Sequence, residues 1–172
     1  MKSLIILVAI GLLMGLPACS SISVSTDYDS DANFATYKTF DWLPHRQKAP
    51  ARNPFVDKRI RSAVDRELSA RGYRQTANGT DFLIAYHVGS KEKLDVTTYG
   101  YRYGRRGRFW GRGVRVEQYT QGTLVLDFVD SKSNELVWRG IATSVIRDRD
   151  PEESEGRIND AVKAILEEFP PK

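Results

Sequence analysis

Between positions 114 and 146 the chain shows its clearest two-residue period. Leu124, Leu126 and Phe128 fall on one face of an extended run and Val125 and Val129 on the other, as a pleated strand requires. The polar turn Asp130-Ser131-Lys132-Ser133-Asn134 leads into a second run, Leu136-Val137-Trp138-Arg139-Gly140-Ile141. Together the two runs predict a central antiparallel hairpin, with Leu136 and Trp138 sharing its buried face. Similar alternation predicts strands over 22–28 and 37–42, where Phe40 and Trp42 at period two read as core packing rather than ligand stacking. Over 82–88, Phe82, Ile84, Tyr86 and Val88 alternate with Leu83, Ala85 and His87, a strand apolar on both faces and therefore interior.

Two stretches switch to helical spacing. Val56, Ile60, Val64 and Leu68 form a four-spaced stripe, with Asn53 as N-cap, Pro54 at the first helical position and Gly72 as the stop. Asp57 with Arg61 and Glu67 with Arg71 stand four apart as ion pairs of the solvated face. Near the C-terminus Asp150 caps, Pro151 opens, Glu152 and Glu153 favour the first turn, and Ile158, Val162, Ile165, Leu166 and Phe169 make the buried stripe before Pro170-Pro171. The proline-bearing stretch 44–54 has no period and reads as a connecting loop. The fold class expected is α+β, a mainly antiparallel β-sheet with two helices packed on one face, leaving the other face or an edge for a partner.

The N-terminus follows a different logic. Lys2 supplies a positive start, positions 4–16 are an almost unbroken apolar run of thirteen residues, and small residues follow. That is too short to span a bilayer comfortably. Leu16-Pro17-Ala18-Cys19 resembles the lipobox of bacterial lipoproteins, which implies that 1–18 is a signal peptide, that Cys19 is acylated, and that 19–172 is the mature domain. Ser20, in place of a retaining aspartate, implies release to the outer membrane. The alternative is a plain secretory signal cut near Ala18, with Cys19 incidental. Cys19 is the one cysteine, so no intramolecular disulfide can form, and acylation would explain a lone exported thiol. Of the 26 basic residues Lys2 leaves with the signal, so 25 face 22 acidic ones, a net of +3.

Several motifs in order resemble one bacterial lipoprotein family, that of domain of unknown function 4136. They are 37–44 (Tyr-Lys-Thr-Phe-Asp-Trp-Leu-Pro), Arg71-Gly72-Tyr73 with 81–87 (Asp-Phe-Leu-Ile-Ala-Tyr-His), 118–127 (Gln-Tyr-Thr-Gln-Gly-Thr-Leu-Val-Leu-Asp) with 136–140 (Leu-Val-Trp-Arg-Gly), and the closing helix ending at Phe169-Pro170-Pro171. The resemblance implies an envelope lipoprotein with a small α+β domain and brings no catalytic residues with it.

Composition, at 41% apolar and 28% charged, fits one globular domain with a single core. One stretch departs from it. The fifteen residues 99–113 are five Gly, five Arg and five aromatics with no acid, which predicts a mobile loop. Arg102, Arg105, Arg106, Arg108 and Arg112 are its candidate anion-binding residues, and Tyr99, Tyr101, Tyr103, Phe109 and Trp110 its candidate aromatic contacts. The bland alternative is a solvated hairpin extension without a ligand. Nucleic acid would suit the composition but is not what an exported lipoprotein meets.

Catalytic and metal chemistry find little support. There is no G-x-S-x-G elbow and no P-loop lysine, and Asp127 and Asp130, three apart on a strand, should point to opposite faces. His87 and His45 have no spacing that suggests a metal, so His87 reads as structural, and no cofactor is expected. The leading expectation is a non-enzymatic binding or assembly module, anchored to the outer membrane by its acyl chains, facing the periplasm and an envelope protein partner. A binder of lipopolysaccharide or anionic lipid through 99–113 is the alternative, and an enzyme of unrecognised type the third.

Overall fold

The computed structural model describes residues 22–44, 53–103, 109–146 and 150–171, with 95–117 described by backbone only. In chain order the elements are β1 (Ser23–Tyr28), a 3-10 turn (Phe34–Thr36), β2 (Thr39–Trp42), α1 (Pro54–Ala70), β3 (Arg74–Gln75), β4 (Phe82–Tyr103), β5 (Phe109–Asp130), β6 (Leu136–Ile146) and α2 (Pro151–Glu167). The strands form one sheet in the order β1-β6-β5-β4-β2-β3. The β1–β6, β6–β5 and β5–β4 pairs are antiparallel, whereas β2 runs parallel to both β3 and β4. Parallel neighbours need a crossover, and α1 is that crossover, so the chain is α+β with a mostly antiparallel sheet.

Both helices start as their side-chain chemistry dictates. Asn53 accepts from the amides of Phe55 and Val56, and Asp150 from that of Glu152, each followed by proline at the first helical position. Past α1, Gly72 takes φ +89°, a left-handed conformation that releases the chain toward β3. Asp57 and Arg61 pair at 3.0 Å. Arg71 does not pair with Glu67; its guanidinium donates instead to the carbonyls of Leu166 and Phe169 at the end of α2. A helix C-terminus with unfilled carbonyls outcompetes a solvated carboxylate for it.

The core is a single cluster on one side of the sheet. Register partners share a face, so Phe40, Phe82, Ile84, Leu124, Leu126, Phe128, Trp138 and Ala142 all point the same way, and the stripes of both helices pack onto them. Phe82 is its hub, with ring centroids of Tyr37, Phe40, Tyr73, Phe128 and Phe169 at 4.9 to 6.1 Å. Trp138 is fully buried between Phe128 and Phe169, at 4.8 and 5.2 Å.

Leu136, expected to be buried with Trp138, is 45% exposed. A bulge explains the difference: Phe128 pairs with Trp138 but Val129 pairs with Leu136, so Val137 is an extra residue and the alternation flips there. Val137 turns inward beside Trp138, and Leu136 turns out with Val129.

The stretch expected as a mobile loop is the second correction. Antiparallel pairing of β4 with β5 continues without a shift from Phe82–Asp130 to Tyr103–Phe109, so 99–103 and 109–113 are strands. Arg105, Arg106 and Arg108 lie outside the described residues, as do Cys19 and most of the proline loop. Tyr99 stands opposite Gly113 and Tyr101 opposite Gly111. The strand preference of the tyrosines is set against the ordering cost of the glycines, row by row.

Candidate functional site

One face of the sheet carries both helices; among the described residues none lies over the other. Inward Leu124, Leu126 and Phe128 force Thr123, Val125, Asp127 and Val129 outward, and register adds Leu83, Ala85 and His87 from β4, and Arg139, Ile141 and Thr143 from β6. Across the middle runs a row Ala85, Asp127, Arg139, Asp27 spanning four strands, and next to it His87, Val125, Ile141, Ser25.

Asp127 is only 6% exposed although its face is open. Arg139 lies over it, with Nε at 2.6 Å from one carboxylate oxygen and a terminal nitrogen at 2.7 Å from the other. His87 Nε2 stands 3.6 Å from the same carboxylate while its ring is largely exposed. The hydrogen bonds and the charge of Asp127, with a smaller contribution from Asp27, raise the Arg139 pKa above its ordinary value. The result is a rigid, bidentate ion pair flanked by half-buried aliphatics. Such a surface can offer shape and a fixed polar mark to a partner; it contains no nucleophile aligned with a base.

Asp130 sits away from this face, as the three-residue spacing predicts. It accepts from the amides of Lys132 and Ser133 and from the Tyr37 hydroxyl at 2.9 Å. The Ser133 amide is the main reason its pKa lies below the usual carboxylate value, while burial and then the bond to Asp130 push Tyr37 up to about 12. Nearby, Asp81 binds the amides of Lys38 and Thr39 at 2.8 Å each, and these bonds outweigh the burial that would raise its pKa. This cluster holds the starts of β2, β4 and the β5–β6 turn together.

On the helix side, Trp42 Nε1 donates to Asp65 at 2.9 Å, and the Arg61 guanidinium lies 4.5 Å over the Trp42 ring. The Tyr86 hydroxyl donates to Asp57, and its pKa is pushed up to about 12 by burial first and that bond second. The group fastens α1 to β2 and β4. Among the described residues, no three His, Cys, Asp or Glu side chains are placed to hold a metal ion, and no helix is long and apolar enough to cross a membrane.

The second candidate region is the outer part of β4 and β5. Among the described residues β6 accompanies β5 only as far as Thr120 and β2 accompanies β4 only to Ile84, and beyond them β4 and β5 continue as a two-stranded ribbon. Its strands carry Tyr99, Tyr101, Arg102, Tyr103, Phe109, Trp110 and Arg112. Sequence reasoning located these residues and missed the Asp127–Arg139 pair.

The profile of the family described as domain of unknown function (DUF4136) matches residues 24–171. No curated protein matches the chain. Among solved structures, a PDZ domain protein from Parabacteroides distasonis is similar at 15% identity and a TM-score of 0.60, over 88% of this chain and 36% of that one. The likeness is one of fold, and the chain spans well under half of that protein. Two structures of the PelC dodecamer from Paraburkholderia phytofirmans match at TM-scores of 0.44 and 0.45, with 10% and 11% identity, over 84% of this chain and 94% of theirs.

Proposed function

The chain belongs to the DUF4136 family, and we propose that it is an acyl-anchored lipoprotein of the outer membrane whose sheet face docks a protein partner of the cell envelope, without catalysis. The observation that carries this reading is the uncovered sheet face. Thr123, Val125, Val129, Ile141 and Thr143 are half-buried with no helix above them among the described residues, around an ion pair held in two hydrogen bonds. Half-buried aliphatic and threonine side chains around a fixed polar pair on a sheet fit protein recognition. The anchor comes from the lipobox-like Leu16-Pro17-Ala18-Cys19, and acyl chains gain about 0.8 kcal/mol per buried methylene, enough for two or three to hold a domain stably on a membrane.

The test places a photocrosslinking amino acid at Val125, at Ile141 and, as a control on α2, at Lys163, in intact cells. One discrete partner captured from the first two positions and not from Lys163 is expected. Equal or absent capture at all three removes the docking reading. Separately, Cys19→Ser should abolish palmitate incorporation, and a variant that still incorporates it would disprove the anchor.

The Arg- and aromatic-bearing ribbon favours a second reading, recognition of anionic lipid or lipopolysaccharide. At about 1 kcal/mol per basic residue near an anionic surface, five arginines supply at most about 5 kcal/mol, much of it screened by salt. The domain without its lipid should then bind anionic vesicles at low salt and release them near physiological salt. Changing Arg102, Arg105, Arg106, Arg108 and Arg112 to serine should abolish the binding.

A further inference from the structure

We infer that the β4–β5 ribbon lies along the surface of the membrane that holds Cys19, its long axis close to the membrane plane and its strands against anionic phospholipid. The inference rests on the acyl anchor proposed above and adds an orientation and a contact surface to it.

Reach limits how the domain can sit on its membrane. Ser23 pairs with Thr143, Thr143 with Thr123, and Thr123 with Gly89, so these four residues form one row across the sheet. β1 is antiparallel to β6 and β6 to β5, so the chain leaves Ser23 toward Cys19 at the same end from which the ribbon projects. From that row the ribbon runs on from Gly89 to Tyr103 and from Thr123 back to Phe109, fourteen positions on each strand. At roughly 3.3 Å per residue this is about 46 Å. Cys19 is four positions before Ser23, a reach of at most about 14 Å.

A ribbon pointed straight at the membrane would therefore pass the anchor by about 30 Å, the thickness of the hydrocarbon core. It cannot enter, because beyond Ile84 and before Thr120 its outer edges are unpaired among the described residues, and open sheet edges are not tolerated in hydrocarbon. The reverse pose fails too. With the ribbon pointing away, four residues would have to reach back past the Tyr28 end of β1, about 17 Å from Ser23, before meeting lipid. Lying flat satisfies both limits.

The pattern along the ribbon suits such a contact. Val88 and Leu94 are 55% and 65% exposed. At the alternate positions Leu94, Val96 and Thr98 the opposite strand supplies Gln118, Val116 and Val114, whereas at Lys93 and Asp95 it supplies Tyr119 and Glu117. One set of rows is thus largely apolar in residue type and the other polar. Farther out the apolar rows continue as Gly100 with Arg112 and Arg102 with Trp110, and the polar rows as Tyr99 with Gly113 and Tyr101 with Gly111; Arg, Trp and Tyr are residue types that settle at the headgroup layer.

The test uses the mature acylated chain in vesicles of phosphatidylethanolamine and phosphatidylglycerol. With Cys19 acylated, an introduced cysteine is the one free thiol. An environment-sensitive fluorophore is attached in turn at Leu94→Cys, Thr98→Cys and Lys132→Cys, the last in the β5–β6 turn at the far end of the sheet. Nitroxide-bearing lipid should quench the first two at least about threefold more than the third. Val96→Asp with Val116→Asp, in a variant whose circular dichroism is unchanged, should bring Thr98→Cys down to the level of the turn. Equal quenching at all three positions overturns the inference, and so does a label at Leu94→Cys that is shielded yet unquenched, which would mean a second protein surface covers the ribbon. The mass of the N-terminal peptide from the same sample separates the premises: with acyl chains present, a failed quench removes the orientation alone; with none, the anchor itself falls.

Discussion

The inner and outer halves of β4 and β5 are the same two strands in two physical situations. Inside, from Phe82 to Ile84 and from Leu124 to Phe128, each strand has a neighbour on both sides and a helix-covered face, and the buried residues are large and aliphatic or aromatic. Outside, each ribbon strand pairs among the described residues with the other alone, and the composition turns to Gly, Arg and Tyr. An isolated two-stranded ribbon is marginal in water. Stability should therefore reside in the inner half, leaving the outer half free to be chosen for what it touches.

The largest effect should come from removing the inner half's central ring. Trp138→Ala leaves a cavity between Phe128, Phe169 and Gly140 and should cost about 3 to 5 kcal/mol, lowering Tm by roughly 10 °C or more for a domain this size. Gly140 is what lets the ring pack there, because a Cβ at that position would stand 2.5 Å from the Trp138 ring and 2.4 Å from Ile165. A Tm unchanged within a degree or two would show that the inner half is not where stability lies.

A smaller effect, with a definite sign, belongs to the turn that closes the inner half. The Asp130 pKa lies below its ordinary 3.8, so its contribution is complete above that value and is lost as pH falls through the folded-state value. Tyr37, raised from 10.0 to about 12, has the opposite sign: its contribution is complete below pH 10.0 and is lost as pH climbs toward 12. Asp130→Asn should cost on the order of 1 kcal/mol at neutral pH and flatten the acid limb of a Tm–pH curve, whereas Tyr37→Phe should flatten the alkaline limb. An acid limb that is unchanged by Asp130→Asn would assign it to other carboxylates.

These particular residues also show what the sequence makes legible. The caps Asn53 and Asp150 and the two apolar stripes are local signals, and the helices begin where those signals place them. The β5–β6 hairpin is legible for the same reason. The parallel β2–β4 pairing is not, because it depends on where a long crossover returns the chain. Asp127 and Arg139 are missed through a single residue. Counting unshifted from the Val129–Leu136 pair would set Asp127 opposite Trp138, and the bulge at Val137 moves it opposite Arg139. The ribbon was hidden by its glycines, whose ordering cost argues for a loop unless the register of the strands beneath it is known.

On the open face the expected change in stability is no larger. Arg139→Ala removes two hydrogen bonds from Asp127 but also returns that carboxylate to water, so the cost to folding should be about 1 kcal/mol. Crosslinking from Ile141 should fall much more than Tm does. A variant that captures the partner as well as wild type would place recognition elsewhere than at the ion pair.

The smallest effect expected is from removing the ribbon altogether. Lys91 and Gln121 face each other, and Gln121 still pairs with Val145 of β6, so replacing 92–120 by Asn-Gly closes β4 and β5 with a two-residue turn at the margin of the six-stranded sheet. Each row deleted takes away cross-strand contacts of about 0.2 to 1 kcal/mol, and it also removes residues whose backbone ordering costs about 1 to 2 kcal/mol each. In a two-stranded ribbon, hydrogen-bonded rows do little better than offset that entropy, so the shortened domain should melt within about 3 °C of the parent. Its binding to anionic vesicles should disappear. A large fall in Tm would mean that the ribbon packs back on the domain and that the contrast between the two halves is false. An unchanged Tm with vesicle binding intact would keep the contrast and move the lipid contact off the ribbon.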